Sequence, residues 1–452
     1  MVLKRKIYEK LLTWKKEYAG KKAILIEGAR RIGKSTVSEE FGKNEYKSYL
    51  IIDFAICPEE VKEYFDKYMN DLDTFFMLLA AAYGKKLYPR ETLIIFDEVQ
   101  MYPKARETIK YLVADGRYDY IETGSLISIK ENVRDIVIPS EERHLRMYPL
   151  DFEEFCEALG EGQLVSYIRQ CFDMRVPLER TLHNKAMLLF KQYMLVGGMP
   201  KSVVLFVENH KNFEFADKEK RDILDLYRSD IMKIKAQYRN KVIAIYDQIP
   251  GLLSQHEKRV KFKQIGEGSY AEQYEDTFFW LSDSMISNEC FLCNDPNVGL
   301  SMNEARTYVK CYLGDTGLLV SHAFDENELL ENEVYRQILE GRLSLNEGML
   351  YENVIAQMLV ANGHKLYFYT HYNADKHRND IEIDFLLSNN SKLKYKMYPI
   401  EVKSGKNYGV NSLQRFREKY AGRIGESYII HPRNFLMRDG ILCIPPYMTI
   451  CL

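Results

Sequence analysis

The sequence predicts an α/β protein in three parts: a doubly wound α/β domain at residues 1–155, a helical and winged-helix-like region at 156–335, and a second α/β domain at 336–452. At both ends of the chain, short apolar runs alternate with helix-like stretches, as in sheets covered by helices. The middle has long, mostly polar segments whose apolar residues recur at helical spacing. At about 150 residues per domain, 452 residues suffice for three such parts.

The composition excludes a disordered or fibrous chain, because glycine (25) and proline (13) are few while aromatic residues make up 13%. No apolar stretch approaches the ~18 residues of a membrane span, and the basic N-terminus lacks the apolar block of a signal peptide. We therefore expect a cytoplasmic protein with no membrane partner.

The formal charge of −2, from 63 Lys+Arg against 65 Asp+Glu, does not indicate a polyanionic partner. Three segments are nevertheless basic: residues 1–50 have 13 basic and six acidic side chains, while 228–263 and 391–430 each have nine and three. Such segments suit a phosphate backbone, but they also occur as solvated faces. DNA is thus one candidate partner, and another protein is a second.

The N-terminal part begins with an amphipathic helix over residues 3–18. Four compact apolar runs then predict buried parallel strands, at residues 23–27, 49–53, 93–96 and 119–123. Helix-like segments separate these runs, so the strands and helices alternate as in a doubly wound sheet.

The first strand is followed directly by a match to the pattern G-x-x-x-x-G-K-[ST]. Its glycines let backbone N–H groups point at phosphates, and the following helix adds partial positive charge. We expect contacts to ATP from nine consecutive residues: Gly28, Ala29, Arg30, Arg31, Ile32, Gly33, Lys34, Ser35 and Thr36. Lys34 is expected to reach the β- and γ-phosphates, and the Ser35 hydroxyl to ligate Mg²⁺. The alternative is a glycine turn with a chance lysine, which the strand, loop and helix order disfavours.

The third and fourth apolar runs end in residues that an ATP site needs. Asp97 is predicted to hold the water shell of Mg²⁺, and Glu98 to be the general base that orients the attacking water. The alternative for Glu98 is an ordinary surface carboxylate in a loop. At the end of the fourth run, Thr123 or Ser125 could contact the γ-phosphate or water, although hydroxyls in such turns are commonly structural.

Six segments together resemble a widespread group of bacterial and archaeal AAA-type P-loop ATPases, whose C-terminal domain of unknown function is related to the restriction-endonuclease fold. In chain order they are GARRIGKS, LIIFDEVQ, TGS, YPLDFEEF, YMLVGGMP and YLGDTGLL. The resemblance implies an additional-strand P-loop fold, in which another strand separates the carboxylate strand from the phosphate-loop strand. It also implies that the C-terminal α/β domain is restriction-endonuclease-like.

The chain departs from this group before YPLDFEEF, where members usually have a Gly-Arg step and this chain has Pro139-SEERHLRM. Arg143 or Arg146 could supply the cation that offsets γ-phosphate charge in the transition state, although such arginines are more often solvated or paired locally. In YMLVGGMP, Gly197 and Gly198 are expected to make a tight turn between helices.

Two C-terminal strands carry carboxylates that could meet. In Ile381-EIDFLL, alternation places Asp384 on the face opposite to the apolar residues, and in PIEVK it places Glu401 and Lys403 on one face. In the PD-(D/E)XK nucleases that this disposition resembles, the counterparts of Asp384 and Glu401 hold Mg²⁺, and that of Lys403 activates water or neutralises phosphate. Glu352, on the preceding predicted helix, resembles an extra acidic residue of many such domains. The same spacing also arises by chance, and the fold persists in domains that only bind.

The first hypothesis is therefore an AAA-type ATPase, using ATP and Mg²⁺, whose nucleotide state controls a nuclease-like domain acting on DNA. The rival is a signalling ATPase with a catalytically silent C-terminal interaction module. A third is a nucleotide-binding scaffold without turnover. The sequence leaves a homo-oligomer open.

Overall fold

The computed structural model describes the whole chain apart from residues 125–139, 256–257, 261–273, 298, 325–329, 341, 343–345, 374, 376, 390–395 and 406–407. Ser125, one of the predicted ATP contacts, therefore lies outside the described residues. The chain divides into two units: residues 2–148 with 283–285, and residue 1 with 149–282 and 286–452. Among the described residues, no helix combines the length and apolar character needed to cross a membrane.

The N-terminal unit is built on a parallel five-stranded sheet in the order β2-β3-β4-β1-β5. Its strands are β1 (Ala23–Glu27), β2 (Ser48–Asp53), β3 (Thr92–Asp97), β4 (Asp119–Gly124) and β5 (Glu142–Arg146). All four strands predicted from apolar runs are present, and β4 lies between β1 and β3 as the resemblance implies. The fifth, β5, is an edge strand with the polar sequence ERHLR, which has no apolar run to reveal it.

In the described residues 2–124 and 140–148 of this unit, the helices that accompany the sheet are α1 (Ile7–Tyr18), α2 (Lys34–Glu45), α3 (Glu59–Lys67), α4 (Leu72–Tyr83) and α5 (Pro103–Asp115). Three phenylalanines join strands to helices in its core, since Phe54 lies edge-on to Phe65 and Phe96 with ring centroids 5.6 and 5.5 Å apart. All three side chains are almost completely buried. Such aromatic contacts add specific geometry to the stabilisation that comes from removing apolar area from water.

The second unit contains helices throughout its length. Those before its first strand are α6 (Phe152–Ala158), α7 (Gly162–Met174), α8 (Arg180–Val196), α9 (Pro200–Glu208), α10 (Phe213–Met232), α11 (Ala236–Ser254) and α12 (Glu275–Asp283). Those among and after its strands are α13 (Thr316–Ala323), α14 (Asn332–Leu339), α15 (Glu347–Ala361) and α16 (Asn411–Lys419). The helical middle predicted from spacing is therefore present.

Two sheets complete the second unit. The four-stranded sheet β7-β6-β8-β9 consists of β6 (Ser287–Cys293), β7 (Glu304–Leu313), β8 (Leu366–Asn373) and β9 (Arg378–Ile383). The five-stranded sheet β10-β11-β12-β14-β13 consists of β10 (Phe385–Asn389), β11 (Lys396–Val402), β12 (Tyr428–Ile430), β13 (Leu436–Arg438) and β14 (Ile441–Ile444). Because β6 pairs in parallel with β8, the expected domain boundary at residue 336 falls within one sheet and one unit.

The segment from Ile381 to Leu387 differs from its predicted single alternating strand. It is split at Asp384 into β9, which pairs with β8, and β10, which pairs with β11. The split allows the residues on both sides of Asp384 to be buried, Ile383 in one sheet and Phe385 in the other. Asp384 is held at the break because its Oδ2 accepts a 2.9 Å hydrogen bond from the Val402 amide.

Three of the segments that carry the family resemblance meet around Asp315. Its Oδ2 accepts a 2.5 Å hydrogen bond from the Gly198 amide, and the Gly198 carbonyl accepts one of 2.7 Å from the Leu150 amide. A side chain at Gly198 would bring a Cβ within 2.1 Å of the Leu150 carbonyl oxygen, so only glycine fits. Gly197 has φ 81, and a Cβ added there would lie 2.1 Å from Asp315 Oδ1. The double glycine therefore forms the expected turn between α8 and α9, and it also joins YPLDFEEF to YLGDTGLL.

Candidate functional site

The predicted phosphate loop connects the end of β1 to the start of α2. Arg31 (φ 68) and Gly33 (φ 88) adopt left-handed backbone conformations, which allow the loop to curl before Lys34 starts the helix. At Gly28, an added Cβ would lie 2.5 Å from the Met147 carbonyl oxygen. Both glycines of the motif are thus required by the backbone.

Lys34 lies over this loop. Its Nζ donates hydrogen bonds to the carbonyl oxygens of Gly28 (3.0 Å) and Ala29 (2.9 Å), and the side chain is buried. Burial lowers the pKa of the Lys34 ammonium to about 8, against the opposing effect of the Glu98 and Asp97 carboxylates. The loop therefore holds a desolvated cation against the carbonyl oxygens of its first two residues.

Asp97 brings together the ends of three elements. Its Oδ1 accepts a 2.8 Å hydrogen bond from the Ser35 hydroxyl and another hydrogen bond from the Thr123 hydroxyl. The parallel strands β3 and β4 end at the same sheet edge, which explains why these residues meet. A carboxylate and a hydroxyl on the first turn of the helix are oxygen donors that suit a Mg²⁺ ion with its remaining waters. The predicted pair Ser35 and Asp97 thus fits the ion.

Glu98 follows directly and stands in a left-handed conformation, with φ 52. Its carboxylate accepts a hydrogen bond from the Gln100 side-chain amide. This conformation turns the chain out of β3 into a short 3₁₀ turn at Val99–Met101. The predicted base therefore lies at the same strand end as Asp97.

Arg5 supports the loop from outside the motif, and sequence reasoning missed it. Its guanidinium donates to the carbonyl oxygens of Ile32 (2.8 Å) and Tyr148 (2.6 Å), and the side chain is buried. Arg5 thus fixes the middle of the phosphate loop to the chain that follows β5. It stands in a lysine-rich N-terminal segment, where nothing local distinguishes it from a solvated charge.

The two candidate arginines lie at opposite ends of β5. Arg143 is paired in register with Ile24, near the start of β1, and its guanidinium stacks on the Tyr18 ring at 4.1 Å. Arg146 is paired with Glu27, the last residue before the phosphate loop, and its side chain is exposed. Arg146 therefore lies at the edge of the sheet that carries the nucleotide motif.

A buried network of charges holds the polar strand β5 in place. Arg106 donates two hydrogen bonds to Glu142, at 2.9 and 2.7 Å, and both side chains are buried. Burial and the neighbouring Glu142 raise the pKa of Glu122 well above its ordinary value. Hydrogen bonds to Glu142 and Glu27 raise the pKa of His144 to about 9. The buried Glu142 of β5 is thus paired with Arg106 and His144, so its charge is not left without a partner.

The four predicted C-terminal residues, Glu352, Asp384, Glu401 and Lys403, also lie close together. Ion pairs with lysines connect their carboxylates. Lys403 Nζ lies 3.0 Å from Glu401 Oε2, and Glu401 is only 2% exposed. Burial raises the pKa of Glu401 to about 6. Burial also works to raise the pKa of Asp384, but the ammonium groups of Lys310 and Lys403 outweigh it and lower that pKa.

Two lysines that the sequence reasoning did not single out complete this cluster. Lys310 on β7 lies between two carboxylates, with its Nζ 3.6 Å from Asp384 Oδ1 and 3.7 Å from Glu352 Oε2. Lys258 forms an ion pair with the other oxygen of Glu352 and donates to the Gly348 carbonyl at 3.1 Å. Tyr308, Lys310 and Tyr312 alternate with the apolar Val309 and Cys311 along one strand. This pattern could have placed Lys310 on one face with the two tyrosines.

A metal ion at this cluster would have to compete with the lysines that already lie beside its carboxylates. In the part of the chain that the structure describes, no three His, Cys, Asp or Glu side chains are grouped as a metal site. Each of Glu352, Asp384 and Glu401 instead lies beside a lysine. The donor set at Asp384 and Glu401 is thus already neutralised by the protein's own cations.

Three family models match parts of the chain. Residues 20–156 match an AAA domain, residues 187–328 match a domain of unknown function (DUF8612), and residues 347–447 match another (DUF4143). The first match covers the parallel sheet, the phosphate loop and the Asp97–Glu98 pair. The N-terminal unit is therefore similar to an AAA domain over residues 20–156. None of the curated proteins matches this chain.

Several solved structures show a weak likeness. AMPPCP-bound DnaA from Aquifex aeolicus is 13% identical, with 61% of this chain and 78% of that chain covered and a TM-score of 0.28. The RuvB branch migration motor from Thermotoga maritima is 11% identical, with 65% and 90% covered and a TM-score of 0.29. A signal transduction ATPase with a tetratricopeptide repeat sensor from Pyrococcus horikoshii is 12% identical, with 80% and 45% covered and a TM-score of 0.28. At such TM-scores these likenesses support no conclusion about function.

Proposed function

We propose that the protein is a Mg²⁺-dependent ATPase whose nucleotide state controls a C-terminal domain that acts on DNA. The observation that carries this proposal is the meeting of Lys34, Ser35 and Asp97 at one edge of an AAA-type sheet. These are the residue types needed to hold a nucleoside triphosphate and its metal ion.

The roles of the loop residues follow from their contacts. Backbone N–H groups from Gly28 to Thr36 bind the phosphates, and Lys34 exchanges its two carbonyl acceptors for phosphate oxygens. Ser35 and Asp97 would hold Mg²⁺, which neutralises the charge that develops on the β- and γ-phosphates. Because phosphate oxygens are charged acceptors, the exchange strengthens the hydrogen bonds that Lys34 donates.

Glu98 is proposed as the general base, since it follows Asp97 at the strand end and its side chain is oriented by Gln100. Thr123 is proposed to sense the nucleotide through the acceptor it shares with Ser35, the Oδ1 atom of Asp97. Arg146, at the sheet edge beside the loop, is proposed as the cation that offsets γ-phosphate charge.

For the C-terminal domain we propose two alternatives. In the first, Asp384 and Glu401 hold Mg²⁺, Lys403 activates water, Glu352 is an extra acidic residue, and the domain cleaves DNA. In the second, the domain binds without cleaving and serves as an interaction module. The ion pairs of Lys310 and Lys258 with the same carboxylates favour the second, because they supply the neutralising charge that a metal ion would bring.

One assay separates the alternatives. Purified full-length protein is incubated with labelled plasmid, Mg²⁺ or Mn²⁺, and ATP, beside the variants Asp384→Ala, Glu401→Ala and Lys34→Ala. The nuclease alternative predicts cleavage that both carboxylate variants lose, and control by nucleotide predicts that Lys34→Ala no longer responds to ATP. Cleavage that persists in Asp384→Ala and Glu401→Ala contradicts the nuclease site. Phosphate release equal in wild type and Lys34→Ala contradicts the ATPase.

A further inference from the structure

A cleft of about 860 Å³ lies on one face of the four-stranded sheet β7-β6-β8-β9. All four strands contribute residues to it, and both Arg378 and Asn379 line it at the start of the edge strand β9. The contributing residues include Leu292 of β6, Tyr308 and Lys310 of β7, Phe368 and Tyr372 of β8, and Arg378 of β9. Asp384 and Glu352 also line this cleft. The carboxylate cluster is therefore reached from a sheet surface.

Two aromatic side chains of the cleft remain open to solvent. Tyr308 is 44% exposed and Tyr372 is 59% exposed, whereas Phe368 on the same face is buried. Exposed tyrosines on a concave sheet surface offer flat rings to which another planar group can stack. The guanidinium of Arg259 lies over the Tyr308 ring at 5.5 Å, so a cation accompanies one of these rings.

The charges of the cleft are compatible with a polyanion. Among the described residues that line it, three are carboxylates, Glu352, Glu382 and Asp384, and four are Lys or Arg, namely Lys258, Arg259, Lys310 and Arg378. Lys258 and Lys310 lie against Glu352 and Asp384, which removes most of the repulsion that buried carboxylates would exert on phosphate. Arg378 is exposed at the start of β9, where it can meet a backbone phosphate.

We propose that this sheet face binds single-stranded DNA, with unpaired bases stacked on Tyr308 and Tyr372 and the backbone running past Arg378 towards Asp384. Only unpaired bases expose the faces that stacking requires, and therefore the tyrosines select a single strand over a duplex. The inference rests on the proposed function for the choice of DNA, and it adds the form of DNA that the C-terminal domain recognises. It does not depend on cleavage, because the neutralised carboxylates can admit a phosphate in either alternative.

Fluorescence anisotropy of labelled oligodeoxynucleotides with the full-length protein, in EDTA so that nothing is cleaved, tests this proposal. We expect the single strand to bind more tightly than the duplex of the same sequence. Tyr308→Ala and Tyr372→Ala should each weaken single-strand binding by roughly fivefold to 100-fold, the loss expected for one stacked base. Tyr308→Phe and Tyr372→Phe should retain the affinity, because the ring remains.

Tyr111→Ala is the matched control, since Tyr111 is 58% exposed but lies on α5 of the N-terminal unit. It should bind as the wild type does. Equal or tighter binding of the duplex, or unchanged affinity in both alanine variants, overturns the proposal. Thermal unfolding of each variant identifies a loss that comes from misfolding, in which case the preference of the wild type for the single strand over the duplex decides. The plasmid assay reports on cleavage separately. If the wild type cleaves the plasmid but shows no preference for the single strand, the inference is overturned and the proposed function stands.

Discussion

The Ser35 hydroxyl donates a 2.8 Å hydrogen bond to Asp97 Oδ1, which connects the first turn of α2 to the end of β3. The same oxygen accepts from Thr123 at the end of β4. Three separate segments of the sequence therefore converge on one carboxylate atom. A group that binds Asp97 must displace or share these hydroxyl contacts.

Nucleotide affinity should fall as the pH rises through about 8. Burial lowers the pKa of Lys34 to about 8, so the free loop loses its ammonium charge above that pH, and a neutral amine attracts phosphate less strongly. Titration with a fluorescent ATP analogue from pH 7 to pH 9 measures this effect. Lys34→Arg is the control, because a guanidinium stays charged throughout this range. An equally steep decline in Lys34→Arg would assign the pH dependence to another group.

Asp97→Asn should weaken the contribution of Mg²⁺ to nucleotide binding by about 10- to 100-fold, the usual cost of disturbing residues that orient a bound metal. Binding measured without Mg²⁺ should change little, since the phosphates are held by backbone N–H groups and Lys34. Asp53→Asn serves as the control, because Asp53 is paired in register with Asp97 on the neighbouring strand. Equal effects of both variants would indicate a general charge effect at the sheet edge.

Gly198→Ala should destabilise the second unit by about 1–3 kcal/mol, the usual cost of overpacking. The added methyl group would lie 2.1 Å from the Leu150 carbonyl oxygen and strain the hydrogen bonds that converge on Asp315. Gly251→Ala is the matched control, since nothing lies within 4 Å of its Cβ position in α11. Urea unfolding should show a lower midpoint for the first variant and an unchanged or higher one for the second. The reverse order would contradict this packing account.

Lys310→Met should destabilise the second unit by about 3 kcal/mol, because it leaves Asp384 and Glu352 without an ammonium group that lies within 3.7 Å of each. Adding Asp384→Asn should recover part of this loss, since one buried charge then needs no partner. Urea unfolding of the single and double variants measures both effects. Lys365→Met, at an exposed position before β8, should change stability little. A double variant less stable than either single variant would show that the lysine does more than neutralise charge.

The nucleotide loop could be predicted from sequence because its chemistry is local. Lys34 and Ser35 follow the glycines within one motif, and Asp97 follows an apolar run that marks a buried strand. Arg5 could not be found in this way, because its partners Ile32 and Tyr148 are brought to it only by the folded sheet. The edge strand β5 was missed for a related reason, since its polar sequence has no apolar run and its partners, β1 and Arg106, are distant in sequence.

In the C-terminal cluster, too, some residues could be predicted from the local sequence and others could not. Asp384, Glu401 and Lys403 could be identified from their spacing. The break at Asp384 could not, because it arises where β9 pairs with β8 in one sheet and β10 pairs with β11 in the other. Lys310 lies on β7, more than 70 residues before Asp384, and reaches it only because β7 shares a sheet with β9. Pairing between distant strands is therefore what the sequence alone does not reveal.

Steady-state phosphate release by Glu98→Gln tests the central claim most directly, because this substitution preserves the size of the side chain and removes its basicity. We predict a loss of about 100-fold or more in turnover, within the range of general-base catalysis, with nucleotide binding retained. Glu60→Gln, an exposed carboxylate in the first turn of α3, should release phosphate at the wild-type rate. Equal phosphate release from wild type and Glu98→Gln would contradict the account.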